Sequence, residues 1–369
     1  MTVRVGLIGP KRSVNGYGLG HYMAREILNY PHCELIAVMG TTRESVGQAV
    51  NLINSQAHTT RKFSGAKYTI EQKQEFFQRD DIDLIIICSP SETHEEYICE
   101  ALRRNKHVLV DKPLIKAGGG INLSARIQLA RDLINIAKRK NLLLSTNCQR
   151  VAVIPLLKEK LGMSGTPSSI KIELVVGVKS NRLDDPEEVF DLLIAHPISL
   201  LVKFGAIDHE SVEVSKHSVQ MDSRSVCLQL KGSYKAYKSN VTCVITLRQS
   251  TDQFLSVMSI TVDNIGPIDV ITEGSSDGHI ITRCQDRDSS TVPLCVEDTL
   301  RTSVRALINA LEQNREPRCP LITNDESFTI YAIQEVMREA IESTDFSSGY
   351  PNCLRIGKHE GLKNCNTSI

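Results

Sequence analysis

The sequence predicts an α/β protein in two parts, an N-terminal doubly wound parallel sheet and a C-terminal α+β unit with a large, mostly antiparallel sheet. Three observations carry this. Strand-like and helix-like segments alternate over the first 145 residues. After about residue 150 come β-rich segments with no helices between them. The length of 369 residues also exceeds the size at which a single hydrophobic core stops growing.

Val3–Ile8 has the pattern of a buried strand, and Gly20–Asn29 reads as a helix with Tyr22, Met23, Ile27 and Leu28 on one face. Leu35–Met39 is a second strand, 44–55 a helix, and Glu71–Phe77 a short helix. Asp83–Ser89 is the most strand-like run in the chain. Helix Glu95–Arg104, strand His107–Val110, helix Leu123–Lys140 and strand Leu142–Thr146 complete the first part. Strands apolar on both faces, alternating with helices, call for a parallel sheet covered on both sides, and right-handed crossovers make it doubly wound. In the second part, Ser169–Val178, Val212–Val219, Ser225–Leu230, Asn240–Leu247 and Ser256–Val262 read as strands. Helices are expected at Asp185–Phe204, Thr299–Gln313 and Asp325–Ser343. The expected units are 1–148, 149–345 and a poorly ordered tail, 346–369.

Composition excludes several classes. With 43 basic and 43 acidic side chains, the chain is not built to neutralise a phosphate backbone or coat an anionic membrane. No eighteen apolar residues run together, and Met1–Gly9 is a short apolar run rather than a signal peptide. The eleven cysteines include no C-x-x-C pair, so they read as free thiols in a reducing compartment, and a cytoplasmic protein is expected. His209, His217, His279 and His359 show no ligand spacing, and no metal is expected.

The first strand runs into a glycine-rich loop, Gly9-Pro10-Lys11-Arg12-Ser-Val-Asn-Gly16-Tyr-Gly18-Leu19-Gly20, and then into a helix. At that junction the backbone of Gly9, Pro10, Gly18, Leu19 and Gly20 can approach a pyrophosphate, its N–H groups (all but that of Pro10, which has none) facing the phosphates and the positive helix end behind them, as in a Rossmann-type domain. Gly9 to Gly20 spans twelve positions instead of the usual six, so the loop carries an insertion. Lys11 and Arg12 lie in it, either as cofactor contacts or as solvated loop charges. At the end of strand two, an NAD site places a carboxylate on the ribose 2′-OH. This chain has Gly40-Thr41-Thr42-Arg43, two hydroxyls and a guanidinium, which suit the extra phosphate of NADP(H) better than NAD(H). Arg43 as a plain helix-opening residue is the alternative.

Two further stretches resemble a known family. One is Ser89-Pro90-Ser-Glu-Thr-His94, then a helix and strand ending in Asp111-Lys112-Pro113; the other is Asn147-Cys-Gln-Arg150. With the N-terminal loop, they resemble the glucose–fructose oxidoreductase / inositol dehydrogenase / MocA (Gfo/Idh/MocA) family of NAD(P)-dependent oxidoreductases, over nearly the whole chain. The resemblance implies that Ser89, Pro90, His94 and Asp111 line the cofactor site, and that Lys112 contacts both nicotinamide ribose and substrate. It also matches His196, in Asp191-Leu-Leu-Ile-Ala-His196, to the family's catalytic histidine. The family's aspartate falls four residues before that histidine, where this chain has Leu192; Asp191 stands five before. Asp185-Pro186-Glu-Glu188 reads as a capped helix start, and on a helix that one step turns the side chain by about 100°. Asp191 as the histidine's partner stays open.

A lysine at the C-terminal edge of a parallel strand faces the crevice where cofactors bind, and there it can polarise a carbonyl or pass a proton. Catalytic candidates are therefore Lys112, His196 and Asp191. The implied reaction is hydride transfer between nicotinamide and a carbonyl or hydroxyl carbon of a sugar, sugar nucleotide or cyclitol-like molecule. Imine reduction, NAD-dependent glycoside cleavage and a non-catalytic cofactor-binding regulator are the alternatives. A homo-oligomer, dimer or tetramer, is implied as well.

Overall fold

In the computed structural model the described residues are 2–11, 19–56, 61–116, 122–162, 167–177, 190–191, 193–205, 207, 210, 212–214, 220–222, 225–234, 239–250, 256–274, 280–286, 295–314 and 321–342. Outside them lie Arg12, Gly16 and Gly18 of the glycine-rich loop, the 185–188 helix start, Leu192, His209, His217, His279, His359 and the 346–369 tail.

Six parallel strands form the first sheet: β1 (Val3–Ile8), β2 (Cys33–Gly40), β3 (Ala66–Thr69), β4 (Leu84–Ile87), β5 (His107–Asp111) and β6 (Leu144–Asn147). Their order is β3-β2-β1-β4-β5-β6. Helices α1 (Gly20–Asn29), α2 (Arg43–Gln56), α3 (Lys73–Phe77), α4 (His94–Arg103) and α5 (Leu123–Arg139) cross between strands. β1 and α1 begin and end where their hydrophobic patterns predict. β3 was not foreseen, because Ala-Lys-Tyr-Thr at the sheet edge has no buried face to generate a pattern. One face of the sheet packs Met23, Ile27, Val46 and Ile53 of α1 and α2; the other packs Phe76, Tyr97, Leu133 and Ile134 of α3, α4 and α5.

The second sheet has nine strands: β7 (Ser169–Gly177), β8 (Glu213–Val214), β9 (Gln220–Asp222), β10 (Ser225–Tyr234), β11 (Ser239–Ser250), β12 (Ser256–Val262), β13 (Ile265–Gly274), β14 (Ile280–Asp286) and β15 (Cys295–Asp298). The main path runs β15-β14-β13-β12-β7-β11-β10-β8, with β9 also on β10. It is mostly antiparallel, as expected, with one parallel pair between β7 and β11. β13, β14 and β15 were not anticipated. β13 opens with Ile265-Gly-Pro-Ile, where two chain-breaking residues hide the strand. The signal was in the turn: Asp263 and Asn264 both have positive φ, 48° and 68°, and join β12 to β13 as a two-residue hairpin.

Helices α6 (Ile154–Lys160), α7 (Ala195–Phe204), α8 (Thr299–Glu312) and α9 (Asn324–Glu342) complete the described elements. α8 returns to the first sheet, adding Leu300, Val304, Leu307 and Ile308 to the core beside α1. α9 lies between the units. Phe328, Tyr331 and Ala332 enter the core of the first, while Ile330, Ile333, Met337 and Ile341 enter that of the second. The α9 start also covers the open edge of β6. Leu144 N–H donates to Asn324 Oδ1 (2.8 Å), Ser145 Oγ to Ile322 O (2.7 Å), and Thr146 N–H to Ser327 Oγ (2.9 Å). This pins the strand that leads into Asn147–Arg150.

Candidate functional site

The strand order reverses between β1 and β4, which places the switch-point crevice beyond their C-terminal ends. Gly9 and Gly20 shape it. Gly9 has φ +75°, and a Cβ there would lie 2.7 Å from the Cys88 carbonyl and 2.8 Å from Ser89 N. A Cβ on Gly20 would lie 2.0 Å from the Gly9 carbonyl oxygen and 2.9 Å from Pro10 Cα. The end of β1, the buried Pro10 and the first turn of α1 therefore approach as bare backbone, the cradle a pyrophosphate requires. Leu19 precedes α1 and packs partly buried on its core.

Lys11 is exposed, and its Nζ donates to Gln48 Oε1 on α2 at 2.8 Å. It thus leans on the helix that Arg43 opens. Thr41, Thr42 and Arg43 are all exposed at the end of β2. The Thr42 hydroxyl accepts from Ser45 N–H (3.1 Å) while Ser45 Oγ accepts from Thr42 N–H (3.0 Å), a reciprocal helix cap. Glu44, an acid that sequence reasoning passed over, stands in the first turn, and its carboxylate accepts from the Gln48 amide at 3.0 Å.

At the ends of β4 and β5 the backbone is braced by His94. The imidazole is 1% exposed and lies between two carbonyl oxygens, Nδ1 2.8 Å from Pro113 O and Nε2 2.9 Å from Ser89 O. Both ring nitrogens face backbone, so His94 holds the loops after β4 and β5 together. Ser89 Oγ lies 2.7 Å from Thr93 Oγ1, and Pro90 is exposed. Asp111 ends β5, in register with Asn147 of β6, and its Oδ1 accepts from Lys112 N–H at 3.0 Å. Lys112 is half-buried beyond the strand end.

His196 stands in the first turn of α7, 9% exposed. Burial, then the charges of Lys112 and Arg150, hold its imidazole well below the usual histidine range, so it is neutral at pH 7. Its Nδ1 is buried with no hydrogen-bond partner. Asp191 does not join it. The Asp191 carboxylate meets the Arg338 guanidinium of α9, which also stacks over the Phe190 ring (5.3 Å to the centroid). The Lys112 charge thus reaches the His196 imidazole, while Asp191 is tied to α9.

Sequence reasoning missed the chemistry of 147–150 as side chains. Asn147, Cys148 and Arg150 are all buried. Asn147 Nδ2 and Arg150 Nη1 are without hydrogen-bond partners, while Arg150 Nη2 donates to Ser256 Oγ at 2.5 Å. Burial lowers the Arg150 pKa to about 10 and pushes the Cys148 thiol up to about 12, which leaves that thiol protonated. The signal was the motif itself, a lone arginine just past a strand end with no acid beside it in sequence. Among the described residues no cluster of three or more His, Cys, Asp or Glu is placed to hold a metal ion, and no helix is long and apolar enough to cross a membrane.

Comparison with known proteins agrees with this architecture. The model of an oxidoreductase family with an NAD-binding Rossmann fold matches residues 4–148. A 1,5-anhydro-D-fructose reductase of Ensifer adhaerens is 22% identical over 304 residues, 76% of this chain and 85% of that protein. Among solved structures, the UDP-N-acetylglucosamine 3-dehydrogenase GnnA from Acidithiobacillus ferrooxidans superposes with a TM-score of 0.64 at 17% identity, covering 93% of this chain and 99% of that one. The 3-ketoreductase KijD10 from Actinomadura kijaniata, solved with NADP and TDP-benzene, gives 0.63 at 17% identity over 92% and 98%. At such identity the structural likeness speaks for the fold. Residues 4–148 thus match the model of the Gfo/Idh/MocA oxidoreductases, which describes an NAD-binding Rossmann fold.

Proposed function

We propose that the protein is an NADP(H)-linked oxidoreductase interconverting a carbonyl and a hydroxyl on a sugar, sugar nucleotide or cyclitol-like small molecule. The observation that supports this reading is a buried His196 under the charge of Lys112, in a fold whose switch point carries a glycine cradle. The residues suit a dinucleotide. Gly9, Pro10 and Gly20 leave room for a pyrophosphate, and Thr41, Thr42 and Arg43 stand exposed where an adenosine ribose and its 2′-phosphate would lie. When bound, nicotinamide supplies the hydride or accepts it.

The chain's own residues then manage the oxygen and its proton. The Lys112 ammonium holds and polarises the oxygen of the reacting carbon. His196, neutral in the free protein, takes the hydroxyl proton when the reaction runs towards the carbonyl and returns it when the reaction runs towards the hydroxyl. The reduced-cofactor direction is favoured by the NADP(H) reading. The names of the relatives support a sugar-type substrate: one is a reductase of an anhydro-fructose, and others are ketoreductases of dTDP sugars.

Purified protein mixed with NADPH and a panel of keto-sugars should lose absorbance of the reduced cofactor, and Lys112→Ala should not. Cofactor binding without turnover across the panel would instead favour a regulator on the same fold. Fluorescence titration should show tighter binding of NADPH than NADH, with the gap narrowed about tenfold by Arg43→Ala. Tighter NADH binding overturns the cofactor assignment. A dimer or tetramer in the cytoplasm completes the proposal, and light scattering reads the subunit number.

A further inference from the structure

The proposed roles of Lys112 and His196 in handling the substrate oxygen and its proton make no use of Arg150. Its guanidinium is 4% exposed, touches Ser256 Oγ through Nη2, and has no hydrogen-bond partner at Nη1. Burial sets its lowered pKa, with no carboxylate among the described residues acting against it. Other buried arginines of this chain are treated differently: Arg25 pairs with Glu26 at 2.9 Å and Arg126 with Glu335 at 2.6 Å. Removing an arginine from water without an anion costs several kcal/mol in general, so an unpaired one marks a place where a ligand brings the anion.

The surroundings say which ligand. Arg150 shares its electrostatic neighbourhood with His196 and, through His196, with Lys112. His196 Nδ1 and Asn147 Nδ2 are further buried polar atoms without partners. The glycine cradle for the pyrophosphate lies at β1, while Arg150 follows β6, three strands away. At the spacing of neighbouring strands that is on the order of 14 Å. An anion on Arg150 would therefore sit away from the pyrophosphate cradle, on the side of His196.

We infer that the substrate is an acidic sugar, and that Arg150 binds its carboxylate while Lys112 holds the reacting oxygen. The anion site stands on the burial and missing partner of Arg150; the reacting oxygen rests on the proposed oxidoreductase function. A planar guanidinium already fixed by Ser256 on one side keeps its other edge for a carboxylate oxygen, a charge-assisted contact stronger than any neutral hydroxyl could make. The bound carboxylate would also offset the positive charge that Arg150 imposes on His196.

Calorimetry on the full chain loaded with NADPH, using D-glucuronate and D-glucose as probes, tests this. Glucuronate should bind at least about tenfold tighter than glucose, and Arg150→Gln should erase that gap while leaving NADPH affinity unchanged. Arg150→Lys should keep part of it. Equal binding of the two sugars, no saturable glucuronate binding, or a gap that survives Arg150→Gln each overturn the inference. A parallel loss of NADPH affinity in Arg150→Gln moves the guanidinium to the cofactor and overturns it as well. The wild-type pair decides even if the variant does not fold. A glucuronate preference without turnover of any keto-sugar retains the anion site and removes the oxidoreductase; turnover without the preference does the reverse.

Discussion

Around Gly9 and Gly20 the crevice is made of backbone packed so closely that no side chain fits. Around Asn147, Arg150 and His196, on the other side, it is made of buried polar side chains whose hydrogen bonds are incomplete. The first region is finished without its ligand, since its chemistry is the direction of N–H groups and a helix end. The second is unfinished, with a guanidinium, an imidazole and an amide lacking partners that a bound molecule could supply. One fold thus holds a part optimised for shape beside a part that gives up stability for chemistry.

The sharpest break in this comparison is chemical. Lys112→Ala should lower turnover by about 10²–10³-fold, the range for a positioned group that stabilises charge on the reacting oxygen, while a cofactor titration shows the glycine cradle still working. If the variant lost NADPH binding in proportion to its activity, the lysine would belong to the first region and the division would fall.

Next in size is Gly20→Ala. Its Cβ would sit 2.0 Å from the Gly9 carbonyl oxygen, so the start of α1 must move. Such a backbone collision costs about 2–4 kcal/mol. Urea unfolding followed by helix signal should show the loss, with weaker NADPH binding alongside it. The opposite sign is expected across the crevice. Arg150→Met replaces an unpaired buried charge by an apolar side chain of similar length, which should raise stability by about 1–2 kcal/mol while abolishing the preference for glucuronate. A destabilised Arg150→Met would mean that the guanidinium already has its anion within the fold.

Sequence reading served the two regions unequally. β1, α1 and the ends of β4 and β5 were legible because buried strands and amphipathic helices carry periodic patterns, and glycines at a strand–helix junction have few other reasons to be there. Lys112 and His196 were singled out through the family's motifs. The ion pair of Asp191 was not, because its partner Arg338 lies in a helix far along the chain, and sequence spacing says nothing about such contacts. Nor was the role of His94 as a brace, since two carbonyl acceptors in separate loops leave no trace in composition. The incomplete bonding of Arg150 is of the same kind: only its burial and the partnerless Nη1 reveal it.

The smallest effect expected is also the one that links the regions' energetics to pH. His196 is held below its unfolded value of about 6.5, chiefly by burial and then by the charges of Lys112 and Arg150. The unfolded chain therefore takes up a proton at this residue as pH falls through the unfolded value, while the folded chain does not. Stability from this group is present above that pH and falls as the medium becomes more acid, down to the folded value. Between pH 7 and pH 6 the loss is about 0.7 kcal/mol. His196→Gln should remove that part of the slope when unfolding midpoints are compared at the two pH values. His107, also lowered by burial, is common to both proteins and cancels. Arg150→Met should flatten the slope partway, because one of the two charges acting on the imidazole is gone. Equal slopes in wild type and His196→Gln would show that the imidazole already takes a proton in the fold, and with it the picture of an incomplete, ligand-awaiting side of the crevice would fail.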